Sequence, residues 1–365
     1  MIRLLVLVNG DRASAAAMRA AALAEHLGPG IETTLRYREG GKAVSIVRFL
    51  KDGLRLRPDV IYVVDMAYSG VLAAAVCRLA SRNRMIVDTG DAIFELAKSI
   101  GERGRIGLWL TGMLERFGLR VADAIVVRGT GHLELLGDIG KPVVVVQDGV
   151  DTATFPPVVD EDLRGQLAPD GAFTIGLVGS SVWSDRLGFC YGWELVEVVH
   201  ALRDRPVAGV MIGGGTGIDH LRARCAELGI GDRVRFVGFV PYGELPKYLG
   251  AMDFCLSTQT NDIPGRVRTT GKLPLYLAAG GVILASRVGE AALALDPRQL
   301  VEYEGVVDRG YPARLAERIG SLMDDEATRN ELVAANRIVA HQRFEYRDLA
   351  ARVAALIAQL AARTR

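Results

Sequence analysis

The sequence predicts an α/β protein built of two doubly wound domains, each a parallel sheet with helices on both faces. Three observations predict it. Short runs of apolar, β-branched residues alternate with Ala- and Leu-rich stretches of helical period along most of the 365 residues. Several of the runs, such as Leu4 to Val8, Ala124 to Val127 and Val282 to Ala285, are apolar at every position rather than at alternate ones, as strands buried on both faces are. The alternation breaks once, at 152–171, where Pro156, Pro157 and Pro169 stand among acidic residues with little periodicity. That stretch reads as a linker, and at roughly 150 residues per domain the length fits two.

In the first half, Leu4 to Val8 reads as a strand, followed by a helix from about Ser14 to His26. Ile31 to Tyr37 is the next strand, then the helix Val44 to Leu54 and the strand Val60 to Asp65. A helix over Tyr68 to Leu79 precedes the strand Met85 to Asp88. The helix near Ile106 to Val121 leads to strands at Ala124 to Val127 and Val143 to Gln147. In the second half the strands are Phe173 to Val178, Val207 to Ile212, Val234 to Val237, Phe254 to Leu256 and Val282 to Ala285. Between them fall helices at Gly192 to Leu202, Ile218 to Leu228, Gly243 to Leu249 and Leu273 to Ala279. A last amphipathic helix runs from Tyr346 to Arg365, with Leu349, Val353, Leu356 and Leu360 on one face. Two such domains facing across a cleft would bind ligands beyond the carboxyl ends of their strands.

Composition excludes several classes of function. Half of the residues are hydrophobic, too many for a disordered chain. Forty-four basic against 43 acidic residues leave a net charge of +1, so nucleic acid is not an expected partner. Cys77, Cys190, Cys225 and Cys255 are widely spaced, with no CxxC pair, and read as buried thiols of a cytoplasmic protein. The five histidines are scattered through the sequence, and no metal site is expected. The apolar run after Arg3 is too short for a secretory leader, and no stretch approaches the ~20 apolar residues that cross a bilayer. The stretch Arg103 to Val121 carries Ile106, Leu110, Met113, Leu114, Phe117 and Val121 on one stripe beside Trp109. It fits a core helix with a basic outer face, and it also fits a helix in peripheral contact with the inner membrane face.

The richest polar segment is Thr258-Gln-Thr-Asn-Asp-Ile-Pro-Gly-Arg-Val-Arg-Thr-Thr-Gly271, leading into Lys272 and an apolar helix. Free N–H groups and the helix dipole at such a start attract anions. Arg266, Arg268 and Lys272 add charge, and Thr269, Thr270 and Gly271 add donors and a close approach. A diphosphate is the expected counter-charge; the other reading is a solvated loop with ordinary capping threonines. Lys272 is one of only six lysines in the chain. Gly213 and Gly214 open a glycine-rich turn that reads equally as a packing turn or as a ligand loop. Gly179 and Ser180 close the first strand of the second half, ahead of Trp183, Arg186 and Tyr191. In the first half the corresponding turn holds Gly10. Asp88 and Asp91 follow a strand end, where paired carboxylates act as a base or orient hydroxyls, or merely cap a loop. His132 stands at another helix start and is either an acceptor-side group or structural.

The order of certain segments is similar to that of GT-B glycosyltransferases, most of all the retaining family 4 (group 1). They are Ala122 to Val127, Asp148-Gly149-Val150-Asp151 with Phe155, Ile175 to Gly179, Ile212 to Gly215, Asp232 to Pro241, Glu244 to Leu249 and Leu277 to Ser286. The resemblance implies two Rossmann-like domains: 1–155 with the C-terminal helix at about 346–365 on the acceptor side, and 156–345 on the donor side. It implies transfer of a sugar from a nucleotide-diphosphate sugar, the co-substrate, to an unidentified acceptor (small-molecule, glycan or lipid-linked), with no other cofactor and no metal. The nucleobase would lie near Phe239 and Val240. Arg186, Gly179, Ser180, Gly213, Gly214 and the 266–272 loop would hold the diphosphate. Asp88, Asp91 and Lys272 would be catalytic, with Gly10 and His132 beside the acceptor. The family's two glutamates, eight residues apart, are replaced here by Val267 and Leu275, and its Arg and Lys after the first strand of the donor domain are not plainly present. A decayed binding or partner protein and a sugar-nucleotide epimerase are the alternative functions.

Overall fold

A computed structural model describes residues 1–168 and 171–363. They form two compact units: Met1–Gly149 with Val267–Thr269 and Glu345–Arg365, and Val150–Arg266 with Thr270–Phe344.

The first unit is a six-stranded parallel sheet of β1 (Ile2–Val8), β2 (Ile31–Tyr37), β3 (Val60–Val63), β4 (Arg84–Thr89), β5 (Ala124–Val127) and β6 (Val143–Val145). The spatial order is β2-β1-β3-β4-β5-β6, with Leu5 of β1 opposite Thr34 on one side and Ile61 on the other. Alternate residues of each strand feed opposite faces, so two cores form. Leu4, Val6, Tyr62, Ile86 and Val126 pack beneath the helices Ala15–Glu25 and Tyr346–Ala362. Leu5, Leu7, Ile61, Val87 and Ile125 face the opposite core, with Phe49, Val71 and Cys77 from the helices Lys42–Leu56 and Tyr68–Ser81. The C-terminal helix, expected from 346, buries Leu349, Val353, Leu356 and Leu360 in the first core. The last two positions of its expected span, 364–365, lie outside the described residues.

The second unit repeats the plan with β7 (Phe173–Val178), β8 (Val207–Ile212), β9 (Val234–Gly238), β10 (Phe254–Ser257), β11 (Val282–Ser286) and β12 (Leu300–Val301). Its order is β12-β11-β10-β7-β8-β9, all parallel. The stretch expected as a bare linker is partly built into this unit. Phe155 and Leu167 are buried in its core, and Asp160 caps the helix Glu161–Leu167 by accepting from the Leu163 N–H at 3.0 Å. Arg164 of that helix then reaches Asp253 at 3.0 Å. Pro169, part of the same expectation, lies outside the described residues.

Candidate functional site

At the carboxyl end of the second sheet, Gly179 follows β7 and Gly213 follows β8. The Gly179 N–H donates to the Ile212 carbonyl (2.9 Å), and the Ser181 N–H donates to that of Gly214 (2.8 Å). Both turns depend on missing side chains. Gly213 has φ +121°, and a Cβ there would strike the Gly179 carbonyl; Gly215 has φ +132°, and its Cβ would strike that of Ser181. The glycine-rich segment is therefore a packing turn that brings two strand ends together, with Gly214 left over open space. Gly215→Ala is expected to destabilise the unit by at least about 2 kcal/mol, whereas Gly214→Ala stays within about 0.5 kcal/mol, both read by urea denaturation.

The helix Lys272–Ala279 is fixed to the same place by Tyr276, fully buried, whose hydroxyl accepts from the Val178 N–H at 2.7 Å. Its first residue, Lys272, donates to the Tyr191 hydroxyl, with the ammonium 3.9 Å from the ring centroid. The Tyr191 ring in turn lies against Gly179, where an added Cβ would approach Cε1 to 2.8 Å. Gly179 and Lys272, both expected in the site from sequence, are thus joined through Tyr191, and Gly213 lies against the Gly179 backbone. Sequence reading placed Tyr191 in the loop but gave it no role.

Behind Lys272 lies Glu194, which was not anticipated. It is buried, with Oε2 accepting from the Gly192 N–H at 3.0 Å. Burial raises its pKa, against the opposing influence of Thr258 and Lys272. Its Oε1, the Thr258 hydroxyl and the Tyr311 hydroxyl are buried without an aligned hydrogen-bond partner among the described residues. A carboxylate within an apolar helical run, Trp193-Glu194-Leu195-Val196, was the signal available for it.

The other expected donor-side residues are dispersed. Arg266 is exposed and its Nε donates to Asn261 Oδ1 at 2.9 Å, while Arg186 and Ser180 are also exposed. Phe239 is 82% exposed, whereas Val240 is buried in the core of the second unit. Thr270 and Gly271 precede the Lys272 helix, the Thr270 carbonyl accepting from the Leu273 N–H at 3.0 Å. Arg268 and Thr269 fall in the first unit: Arg268 Nε lies 2.7 Å from Asp91 Oδ1, and the Thr269 hydroxyl donates to the Arg128 carbonyl. Arg266, Arg268 and Lys272 each have a different side-chain partner, Asn261, Asp91 and Tyr191.

In the first unit, the loop-end carboxylates differ from each other. Asp88 is fully buried, and its Oδ2 accepts from Arg19 Nε (3.0 Å) and the Tyr62 hydroxyl (2.7 Å). Its Oδ1 accepts from Arg128 Nε at 3.2 Å. Arg19 also donates to the carbonyls of Gln147 and Val146 and to Asp148, and Arg128 pairs with Asp65. Burial alone would raise the Asp88 pKa, but Arg19 and Arg128 hold it below the usual carboxylate range. Asp88 is thus the centre of a buried ionic network, with both oxygens taken by the protein, and Gly90 leaves the space through which the Arg128 side chain passes. Asp91 is half-exposed. His132 is buried, with Nδ1 lacking a hydrogen-bond partner among the described residues, and burial lowers its pKa to about 4, so it is neutral at pH 7. Gly10, at φ +150°, gives way to Ser14, whose hydroxyl caps the first helix.

Residues 172–325, which span most of the second unit, match the family described as Glycosyl transferases group 1. The 2-deoxystreptamine glucosyltransferase of Streptomyces kanamyceticus is 29% identical over 229 residues, 60% of this chain and 56% of that protein. A GDP-mannose-dependent alpha-(1-6)-phosphatidylinositol monomannoside mannosyltransferase of Mycobacterium tuberculosis is 29% identical over 210 residues, 56% of this chain and 53% of its own. The chain thus spans about half the length of these curated relatives. Among solved structures, Anabaena HepE in complex with UDP-glucose superposes with a TM-score of 0.77 at 15% identity, covering 98% of this chain and all of that one. Sucrose-phosphate synthase from Thermosynechococcus elongatus gives 0.76 at 16% identity over the whole of both chains. Through its second unit the chain is similar to the group 1 glycosyltransferases, and its two parallel-sheet units carry the GT-B fold of these solved structures.

Proposed function

We propose that this protein transfers a glycosyl unit from a nucleoside-diphosphate sugar to a hydroxyl of an acceptor. The observation that carries the reading is the assembly of Lys272, Tyr191, Gly179 and Gly213 at the carboxyl end of the second sheet, within the segment matched by the family. In the transfer, the bond from the sugar's anomeric carbon to the diphosphate breaks and one to the acceptor oxygen forms, while the acceptor's proton leaves with the diphosphate. Negative charge grows on the leaving group, and Lys272 with the N–H groups of its helix start supplies the complementary charge. This stabilisation comes from the protein, without a metal, and the anomeric configuration is retained. Asp91 and His132 serve the acceptor; Asp88 acts as a positioning residue that holds Arg128. Similar proteins are named for 2-deoxystreptamine and for phosphatidylinositol monomannoside, so sugar-like polyols are the acceptors to try first.

A panel of nucleoside diphosphates in a thermal-shift assay tests the donor site. A ligand at about a hundred times its dissociation constant adds about 2.7 kcal/mol, several degrees of melting temperature for a unit of this size. UDP or GDP is expected to give that shift, and no response to any diphosphate would sink the proposal. A second reading, binding without turnover, draws support from Leu275, which packs at the edge of the core where the resemblance expects a glutamate. Diphosphate release from a bound nucleotide sugar, with a polyol acceptor present, decides against it.

A further inference from the structure

The proposed transfer leaves unused the outward face of the helix Arg105–Val121. This helix is turned opposite to the core-helix expectation. Its buried residues are Thr111, Gly112 and Gly118. A Cβ on Gly112 would come within 2.8 Å of Phe94, and one on Gly118 within 3.6 Å of Met66 and Val71. The small residues let the helix lie close to its neighbours, and most of the bulky stripe points outward, with Val121 at its end packed on the core. Ile106 is 77% exposed and Trp109 59%, with Leu110, Met113 and Phe117 continuing the line. An apolar stripe of this length seldom stays uncovered on a soluble protein.

Its surroundings say what covers it. Arg103, Arg105, Arg116 and Arg120 are exposed on the same helix and the residues leading into it. Of the two acids in this stretch, Glu102 faces outward, while Glu115 turns inward and accepts from the N–H groups of Ile93 (2.6 Å) and Phe94 (3.1 Å), capping the helix Ile93–Ile100. The whole chain carries a net charge of only +1, so this concentration of cations around an apolar stripe is local. An apolar line containing an indole and flanked by guanidinium groups complements a bilayer that has anionic headgroups.

We propose that the outward face of helix Arg105–Val121 docks the protein on an anionic phospholipid surface, Ile106, Trp109 and Leu110 entering the acyl boundary and the arginines meeting the headgroups. The test is co-sedimentation of the full chain at low ionic strength with vesicles of phosphatidylcholine alone or mixed equally with phosphatidylglycerol. Binding to the mixed vesicles only is expected, weakening as salt is added, with a blue shift of tryptophan emission. Ile106→Ser combined with Trp109→Ser is expected to lower partitioning at least about tenfold while leaving the melting temperature and the nucleotide thermal shift unchanged. Arg105→Gln with Arg116→Gln is expected to weaken binding and flatten its salt dependence. Failure to bind anionic vesicles, or binding that survives the serine pair, overturns the proposal. So does a dimer in solution that the serine pair dissolves, since the stripe would then face a second copy. The vesicle assay needs no nucleotide, so its outcome stands apart from the donor-site test.

Discussion

Asp88→Ala is expected to destabilise the first unit by about 3–5 kcal/mol, the cost of leaving buried charge without its partner. The carboxylate has no solvent exposure, and three donors converge on it, two of them guanidinium groups. Its removal strands Arg19, also buried, whose remaining bonds run to two carbonyls and Asp148. The exposed pair Arg3–Asp59 is the control: Asp59→Ala is expected to cost less than about 1 kcal/mol. Urea denaturation of both variants measures the difference, and equal losses would show that the network is not the structural centre described above. The sign with pH follows from the depressed pKa. Asp88 contributes its full stabilisation above the ordinary carboxylate range and loses it as pH falls through the folded value.

Lys272→Ala is expected to lower turnover at least about tenfold, equivalent to about 1.4 kcal/mol of barrier. The loss should appear mainly in kcat, because charge on the leaving diphosphate increases as its bond to the sugar breaks, and nucleotide binding gains less from the ammonium than the transition state does. Lys272→Arg should restore part of the rate by keeping the charge while losing the fit against Tyr191. Unaltered turnover by Lys272→Ala would remove this side chain from the chemistry.

The sheets were legible because several strands are apolar at every position, as Val60–Val63 and Ala124–Val127 are in the first and Val207–Ile212 in the second. The loops were less legible. A glycine-rich turn reads alike whether it admits a ligand or another backbone, and only the coordinates show that Gly213 and Gly215 yield to the carbonyls of Gly179 and Ser181. The helix Arg105–Val121 was recognisable by its period, yet period does not say which face is inward. Here two glycines and a threonine won the contact over larger apolar side chains. Asp88 was found as a strand-end carboxylate, but its burial was hidden because its partners, Arg19, Tyr62 and Arg128, lie 69, 26 and 40 positions away. Arg19 within an alanine-rich helix, with Ala16, Ala20 and Leu23 on neighbouring turns, was a clue that sequence reading passed over.

The helix Tyr346–Ala362 completes the first core, although its residues follow every strand of the second unit in the chain. During synthesis, the amino-terminal sheet emerges well before this lid. Until translation has passed the whole of the second unit, Leu4, Val6 and Tyr62 have only the helix Ala15–Glu25 as cover, and the unit that begins first is finished last. Nascent chains generally fold from the front, so here the earliest segment waits with one flank half covered, a natural point for chaperone capture.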